Sequence, residues 1–331
     1  MMDGVGGQSF TEGSASFGGE RVLVTGGAGV IAREVLERLG PANAPVLSID
    51  RLPLTFDPPA NVDHRIADLA DVDLDDVRRF DPTIILHLAA TFERSVESPE
   101  FWAQDWSDNV VVTHRLCDLA ASSRSLKAFV FASSYLVYRS SRYLSADPRT
   151  TAVALGEDDE QRPRNLCGAA KAYGEAELAF LRDVVHAPFR SVSARIFRVY
   201  GRGSRDIVSR WVRAALRGDQ IEVYQPENRF DYVFSGDVAE GLLRMASHPS
   251  ASGVINLATG RDRSVEDVLQ AIEATTGRAF DRRDLPVDGP YESSRADVTH
   301  LRATLGWSPE TRLEDGVRSL VAHEEEAHVR A

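Results

Sequence analysis

Residues 21–32 read Arg21-Val22-Leu23-Val24-Thr25-Gly26-Gly27-Ala28-Gly29-Val30-Ile31-Ala32. A short β-branched run closes on three glycines and passes into a helical pattern that lasts to Leu39, which is the signature of strand, tight turn and helix. Working outward, further buried-strand candidates stand at 46–49, 83–88, 128–132 and 191–197, and the stretches between them are long enough for helices. Such alternation predicts an α/β fold, a Rossmann-type doubly wound parallel sheet covered on both faces. Beyond residue 198 the pattern loosens, with helices expected at 207–216, 237–246, 265–274 and 313–323 between short strands, a smaller mixed α/β C-terminal lobe. The expected division is a tail over 1–19, a nucleotide-binding domain over 20–197 that takes back about 228–258, and a substrate lobe from 198–227 and 259–331. No internal repeat at solenoid periods is visible.

Composition limits what the chain can do. Its 331 residues are 43% hydrophobic and 27% charged, which suits one large or two smaller globular domains. A net charge of −12 argues against a nucleic-acid or anionic-membrane surface. Two cysteines form no disulfide framework and have no metal-ligand spacing, and no run approaches the roughly 18 apolar residues of a membrane span. A cytoplasmic protein is the expectation. The first 19 residues are rich in Gly and Ser without a basic start or apolar core, so they read as a disordered tail and not as a signal peptide.

The turn after the first strand carries the first chemistry. Gly26-x-x-Gly29-x-x-Ala32 has dinucleotide-fingerprint spacing, in which glycines let backbone N–H groups approach a pyrophosphate at a helix N-terminus. A structural turn is the alternative reading of the same residues. Asp50 ends the next strand, where a carboxylate can hydrogen-bond both ribose hydroxyls and repel a 2′-phosphate, so NAD is favoured over NADP. Arg51 beside it is a cation that NADP could use. Lys171 stands out in another way: the chain has two lysines, Lys127 and Lys171, against 36 arginines. Where arginine fills nearly every cationic position, a retained lysine points to a compact ammonium whose pKa can move.

Taken together, T-G-G-A-G at 25–29, Asp50, Asp68-Leu69, H-L-A-A at 87–90, Asn109, S-S-Y-L-V-Y at 133–138, Lys171, R-I-F-R-V-Y-G at 195–201, D-Y-V at 231–233 and L-G-W-S-P at 305–309 resemble the extended short-chain dehydrogenases/reductases of the NAD-dependent epimerase/dehydratase family. The resemblance runs from Arg21 almost to the C-terminus. It implies a Rossmann domain holding NAD, a C-terminal lobe gripping a nucleotide-sugar, and transient oxidation of a sugar carbon. By position, it places Gly26, Gly29 and the backbone of Val30 and Ile31 on the pyrophosphate, Asp50 on the adenosine ribose and Asp68-Leu69 around the adenine. Leu88, Ala89 and Ala90 would line the cofactor cleft, and Asn109 would be a buried support. Lys171 would bind the nicotinamide ribose and lower the pKa of the base, and Ser134 would hold the reacting hydroxyl.

The departures fall on the catalytic and substrate side. The family's Tyr-x-x-x-Lys is here Cys167-Gly168-Ala169-Ala170-Lys171. A cysteine ends several bond lengths short of a phenol oxygen, although Lys171 would favour its thiolate. Cys167 is thus a catalytic thiol, a space-making residue or a bland helix residue. Family dehydratases keep an Asp-Glu pair after the serine; here Tyr135 and Leu136 stand there, so the usual route to dehydration is missing. Tyr135 is the nearest candidate for a relocated phenol, and Tyr138 more often packs structurally. The Asn of the family's R-x-F-N-x-x-G is Arg198, which follows Phe197, and the Arg of its R-D-Y is Phe230, with Arg229 displaced by one residue. Arg198 could hold a phosphate bidentately, or the substrate carries a further carboxylate or a different nucleotide. Glu93 and Arg94 are further substrate-contact candidates, equally readable as solvated loop charges.

The expectation is an NAD-dependent nucleotide-sugar epimerase that uses no metal. The alternatives are a dehydratase or oxidoreductase with a non-standard base, and a non-catalytic NAD-binding protein. A homodimer is also expected, because segments near 100–122 and 166–184 correspond to family helices that pair across a two-fold axis, with Leu178, Phe180 and Leu181 offering apolar contacts.

Overall fold

The computed structural model describes residues 17–91 and 98–330, with side chains described to residue 326. The expected tail lies almost wholly outside the described residues, as do Glu93 and Arg94. In chain order the main elements are β1 (Val22–Thr25), α1 (Val30–Leu39), β2 (Val46–Asp50), β3 (Val62–Ile66), α2 (Asp75–Phe80), β4 (Ile84–His87), α3 (Pro99–Asp105), α4 (Val112–Ser122), β5 (Ala128–Ser134), α5 (Leu166–Asp183) and β6 (Arg190–Ile196). They continue with α6 (Ile207–Arg217), α7 (Ser235–Ser247), β7 (Gly253–Leu257), α8 (Val265–Thr276), α9 (Thr299–Leu305) and α10 (Leu313–Arg330). Short strands outside the main sheet are named by their residues.

The seven numbered strands form one parallel sheet in the order β7-β6-β5-β4-β1-β2-β3. β1 lies between β2 and β4 and all four of its residues are buried, which is why it reads as an unbroken apolar run. β3 closes the edge and buries no residue, so Val-Asp-His-Arg-Ile carries no strand signal in the sequence. Apolar residues of α1 and α7 form the core on one face, and those of α4 and α5 form it on the other. A separate apolar cluster joins α6, α8 and α10 through Val208, Trp211, Val212, Val268, Ile272, Val317 and Leu320. Among the described residues no helix is long and apolar enough to cross a membrane, and no His/Cys/Asp/Glu group could hold a metal ion.

Local chemistry fixes the elements that carry the site. Gly26 has φ +74°, and a Cβ there would lie 2.7 Å from the Ala89 nitrogen, so only glycine lets the first turn close against the strand end of β4. Asn165 caps α5, its Oδ1 accepting from the Gly168 N–H at 2.9 Å. A Cβ on Gly168 would meet the Leu136 carbonyl at 2.6 Å, so glycine brings the start of α5 against the turn that follows β5. Leu178 and Leu181 were expected on an outer face; both are buried in the chain's own core, whereas Phe180, one step round the helix, is exposed.

Candidate active site

Two hollows open at the C-terminal ends of the strands. The first, about 150 Å³, is lined by Gly26, Gly29, Asp50, Arg51, Asp68, Leu69, Leu88, Ala89 and Ala90 among others. α1 points its N-terminus at this groove with no side-chain cap on Gly29 and no acid in its first turn, where Val30 and Ile31 stand. Uncapped N–H groups with that dipole favour an anion. Asp50 is set by its own turn: Oδ2 accepts from Ala28 N at 3.0 Å and Oδ1 from Leu52 N at 2.9 Å. Arg51 is held by Asp108 in a bidentate pair at 3.0 and 2.9 Å. Asn109 stands behind the groove and pins the backbone of Thr91 in both directions, accepting from its N–H at 2.8 Å and donating to its carbonyl at 2.9 Å.

The second hollow, about 1360 Å³, shares Leu88 and Ala90 with the first. Ile31, Ser134, Tyr135, Cys167, Lys171, Phe197 and Arg198 all line it, together with α6 and with Phe230, which packs in the cluster of α6, α8 and α10. Ser134 ends β5, where its Oγ accepts from Leu136 N at 3.2 Å. Cys167 and Lys171 lie one turn apart near the start of α5, both buried. The Lys171 ammonium sits 4.7 Å over the Phe131 ring. Burial pushes its pKa down, and the nearby Cys167, Asp105 and Glu175 only partly oppose that shift. At the next turn Glu175 forms a buried pair with Arg195 at 2.8 Å and accepts from the Ser133 hydroxyl, anchoring α5 to β5 and β6.

Tyr135 does not end at an open position. Its hydroxyl donates to Glu292 Oε1 at 3.0 Å, and its ring stacks on Phe197 at 5.2 Å. Glu292 also accepts from Arg164 at 2.7 Å and faces Arg198 at 3.5 Å. Burial alone would raise Glu292; Arg198 and Arg164 outweigh it and hold the carboxyl below its ordinary value. Burial pushes the Tyr135 phenol up. The proton between these two groups therefore stays on the phenol. Tyr138 is fully buried, donates to Asn256 at 2.7 Å and lies under Arg195, away from the cleft. Arg229 also stands off the cleft, paired with Asp262 at 2.5 Å, while Phe230 takes the lining position.

Glu292, Arg164 and Asp108 were not singled out in the sequence. Arg164 and Glu292 are 128 positions apart and neither belongs to a local motif. The only sequence hint is Arg198 itself, a cation in place of a neutral family residue, which needs a counter-charge if it is half-buried.

The sequence profile of the NAD dependent epimerase/dehydratase family matches residues 22–258. A UDP-glucose 4-epimerase from Mycolicibacterium smegmatis is 28% identical over 319 residues, spanning 91% of this chain and 97% of that protein. Among solved structures, MoeE5 in complex with UDP-glucuronic acid and NAD is 29% identical with a TM-score of 0.80, covering 93% of this chain and 99% of its own. A UDP-glucose 4-epimerase from Thermus thermophilus in complex with NAD is 28% identical with a TM-score of 0.78, over the same shares of the two chains.

Proposed function

The chain belongs to the NAD dependent epimerase/dehydratase family, and from that premise we propose that it is an NAD-dependent nucleotide-sugar epimerase. The observation that carries the reading is the junction of the two hollows at Leu88 and Ala90, with Ser134 and Lys171 lining the larger one. The smaller groove suits the adenosine and pyrophosphate half of a dinucleotide: its glycine turn has no room for a Cβ, an uncapped helix N-terminus faces it, and Asp50 lines it where a ribose would bind; the nicotinamide half would continue past Leu88 and Ala90 toward Lys171. When bound, NAD supplies a two-electron acceptor that takes hydrogen from a sugar carbon and can give it back to either face.

The chain's own residues then handle one proton. Ser134 Oγ holds the reacting hydroxyl, and Lys171 is the remaining group with a pKa moved toward neutrality. Tyr135 is committed to Glu292, and the Cys167 thiol is too short to stand where a phenol oxygen would. We therefore assign Lys171 Nζ, in its neutral form, as acceptor of the hydroxyl proton and as its donor when the carbonyl is reduced again. Arg198 takes the substrate's diphosphate, with Phe197 and Phe230 as apolar walls. Dehydration lacks support, because the positions after Ser134 hold Tyr135, already hydrogen-bonded, and Leu136. A homodimer is supported by Trp102, Trp106, Tyr173 and Phe180, which are exposed on α3, on the segment after it and on α5.

The test is incubation of the purified protein and NAD with UDP-, dTDP- and GDP-hexoses and uronic acids in deuterated buffer, followed by proton NMR. The expected product is a C4 epimer with no solvent deuterium on the inverted carbon. A 6-deoxy-4-keto product would replace the reading by dehydration, and absence of NAD binding would remove it.

A further inference from the structure

We infer that Asp108 sets the preference for NAD over NADP by holding Arg51 away from a 2′-phosphate; this rests on the cofactor reading above. Arg51 follows Asp50 at the end of β2, where the adenosine ribose would lie, and it is the cation in that groove able to meet a phosphate. Its guanidinium is already occupied. Nη1 and Nη2 donate to the two oxygens of Asp108, Nη2 donates to Thr91 Oγ1 at 3.2 Å, and Asp68 stands 3.8 Å away.

The position of Asp108 is fixed by more than this pair. It lies in Trp106–Val111, a π-helical stretch between α3 and α4, whose wide turn brings Asp108 and Asn109 both inward. Asn109 clamps the Thr91 backbone, and the Thr91 hydroxyl donates to Asp108 Oδ2 at 2.5 Å. The Asp108 side chain is only 8% exposed, so it cannot swing into water to release its partner. Two carboxylates, Asp108 and Asp68, thus face one guanidinium, and Asp50 lines the same groove. A 2′-phosphate, bringing about −1.5 to −2 further charge, would have to take Arg51 from a partly buried, bidentate partner.

Calorimetric titration of NAD and NADP into wild type, Asp108→Asn, Arg51→Ala and the double variant decides the matter. Asp108→Asn keeps the shape and removes the charge that holds Arg51. Its NADP-to-NAD affinity ratio should rise by at least about tenfold, the worth of one charge-assisted hydrogen bond. That gain should disappear in the double variant and shrink at high salt. Arg51→Ala alone should change the ratio by less than roughly threefold, because the sequestered cation contributes little to either ligand. An unchanged ratio in a folded Asp108→Asn protein overturns the inference. So does a tenfold loss of NADP affinity in Arg51→Ala, which decides the case even if the Asp108 variant does not fold. Wild type that binds neither dinucleotide would sink the cofactor reading and this inference with it.

Discussion

Glu292→Gln removes one negative charge from the floor of the cleft while leaving the side-chain shape. In the wild type, Oε2 accepts from Arg164 at 2.7 Å, Oε1 accepts from Tyr135 at 3.0 Å, and Arg198 lies at 3.5 Å. The carboxylate is 9% exposed and thus poorly replaced by water. Breaking one partner of a buried ion pair costs about 3–5 kcal/mol, because the other charge is left unpaired. The glutamine carbonyl still accepts one of the three hydrogens, so the lower end, about 3 kcal/mol, is expected. At roughly 2 °C per kcal/mol for a chain of this size, Tm should fall by about 6 °C at pH 7.

The sign with pH is set by the direction of the shift. The folded pKa of Glu292 lies below its unfolded value of 4.5, so its contribution is complete above that value and is lost as pH falls through the folded pKa. Wild type and variant should differ by the full amount at pH 6–7, and the gap should narrow as pH falls below about 4.5 and close only below the folded pKa. Differential scanning calorimetry across pH 3.5–7.5 measures this. A gap of equal size at pH 4 and pH 7, or no gap at pH 7, would refute the argument. Glu292→Gln combined with Arg164→Met should recover part of the loss, since the stranded guanidinium is then gone.

The remaining predictions concern the same floor and the outer helices. Lys171 has a folded pKa below its unfolded value of 10.5, so burying its ammonium costs stability in full below the folded pKa, and the cost is relieved progressively as pH rises from there toward 10.5. Lys171→Met should therefore raise Tm of the ligand-free protein at pH 7 by about 2 °C while abolishing turnover. Lys171→Arg, which keeps a cation but cannot give up its proton, should leave kcat at least about 10²-fold down; near-normal turnover would remove the lysine as base. Cys167→Ser should stay within roughly threefold of wild type in kcat, and a fall as deep as that of Lys171→Arg would make the thiol catalytic. Tyr135→Phe should cost about 1.5–3 kcal/mol of stability through the lost bond to a carboxylate, with kcat within about threefold. A fall of about 10² in kcat would instead identify the phenol as the base. Phe180→Asp should convert a dimer to a monomer by light scattering, and an unchanged mass would move the interface elsewhere.

The sheet was legible where burial is complete on both faces. β1, β4 and β5 are mainly apolar because each lies inside the sheet, β2 and β6 are buried there too although Ser48, Ser191, Ser193 and Arg195 interrupt them, and β3 at the edge is mostly solvent-facing and has no pattern to read. The helices near 100–122 and 166–184 were located through family correspondence, and the side of α5 that faces outward could not be deduced that way. Leu178 and Phe180 differ by two positions, which on a helix is just over half a turn and puts them on opposite faces, and only packing decides which of them is inside. The site divides similarly. Asp50 was read from its spacing to the glycine turn, whereas Ser134 and Lys171 were placed by the family resemblance, Lys171 with the scarcity of lysine beside it. The partner of Tyr135 depends on a glutamate 157 positions away, and no local signal joins them.

That distant partner also changes how the substrate-side departures read. In the sequence, arginine at 198 and phenylalanine at 230 are two separate losses of family pattern. In the fold they touch: the Arg198 guanidinium carbon lies 4.0 Å from the Phe230 ring centroid. A cation over an aromatic face is attracted, whereas two guanidinium groups at that distance would repel. The gain of charge at 198 and its loss at 230 therefore belong to one exchange, which keeps a cation in the cleft and moves it to the other strand. Glu292 answers only half of the resulting charge, since Arg164 and Arg198 share it. Arg198 Nε, buried and without a protein partner, is what remains. A buried donor left unmatched costs stability unless something binds there, and under the proposed function an anionic oxygen of the substrate would complete it in charge and acceptor geometry.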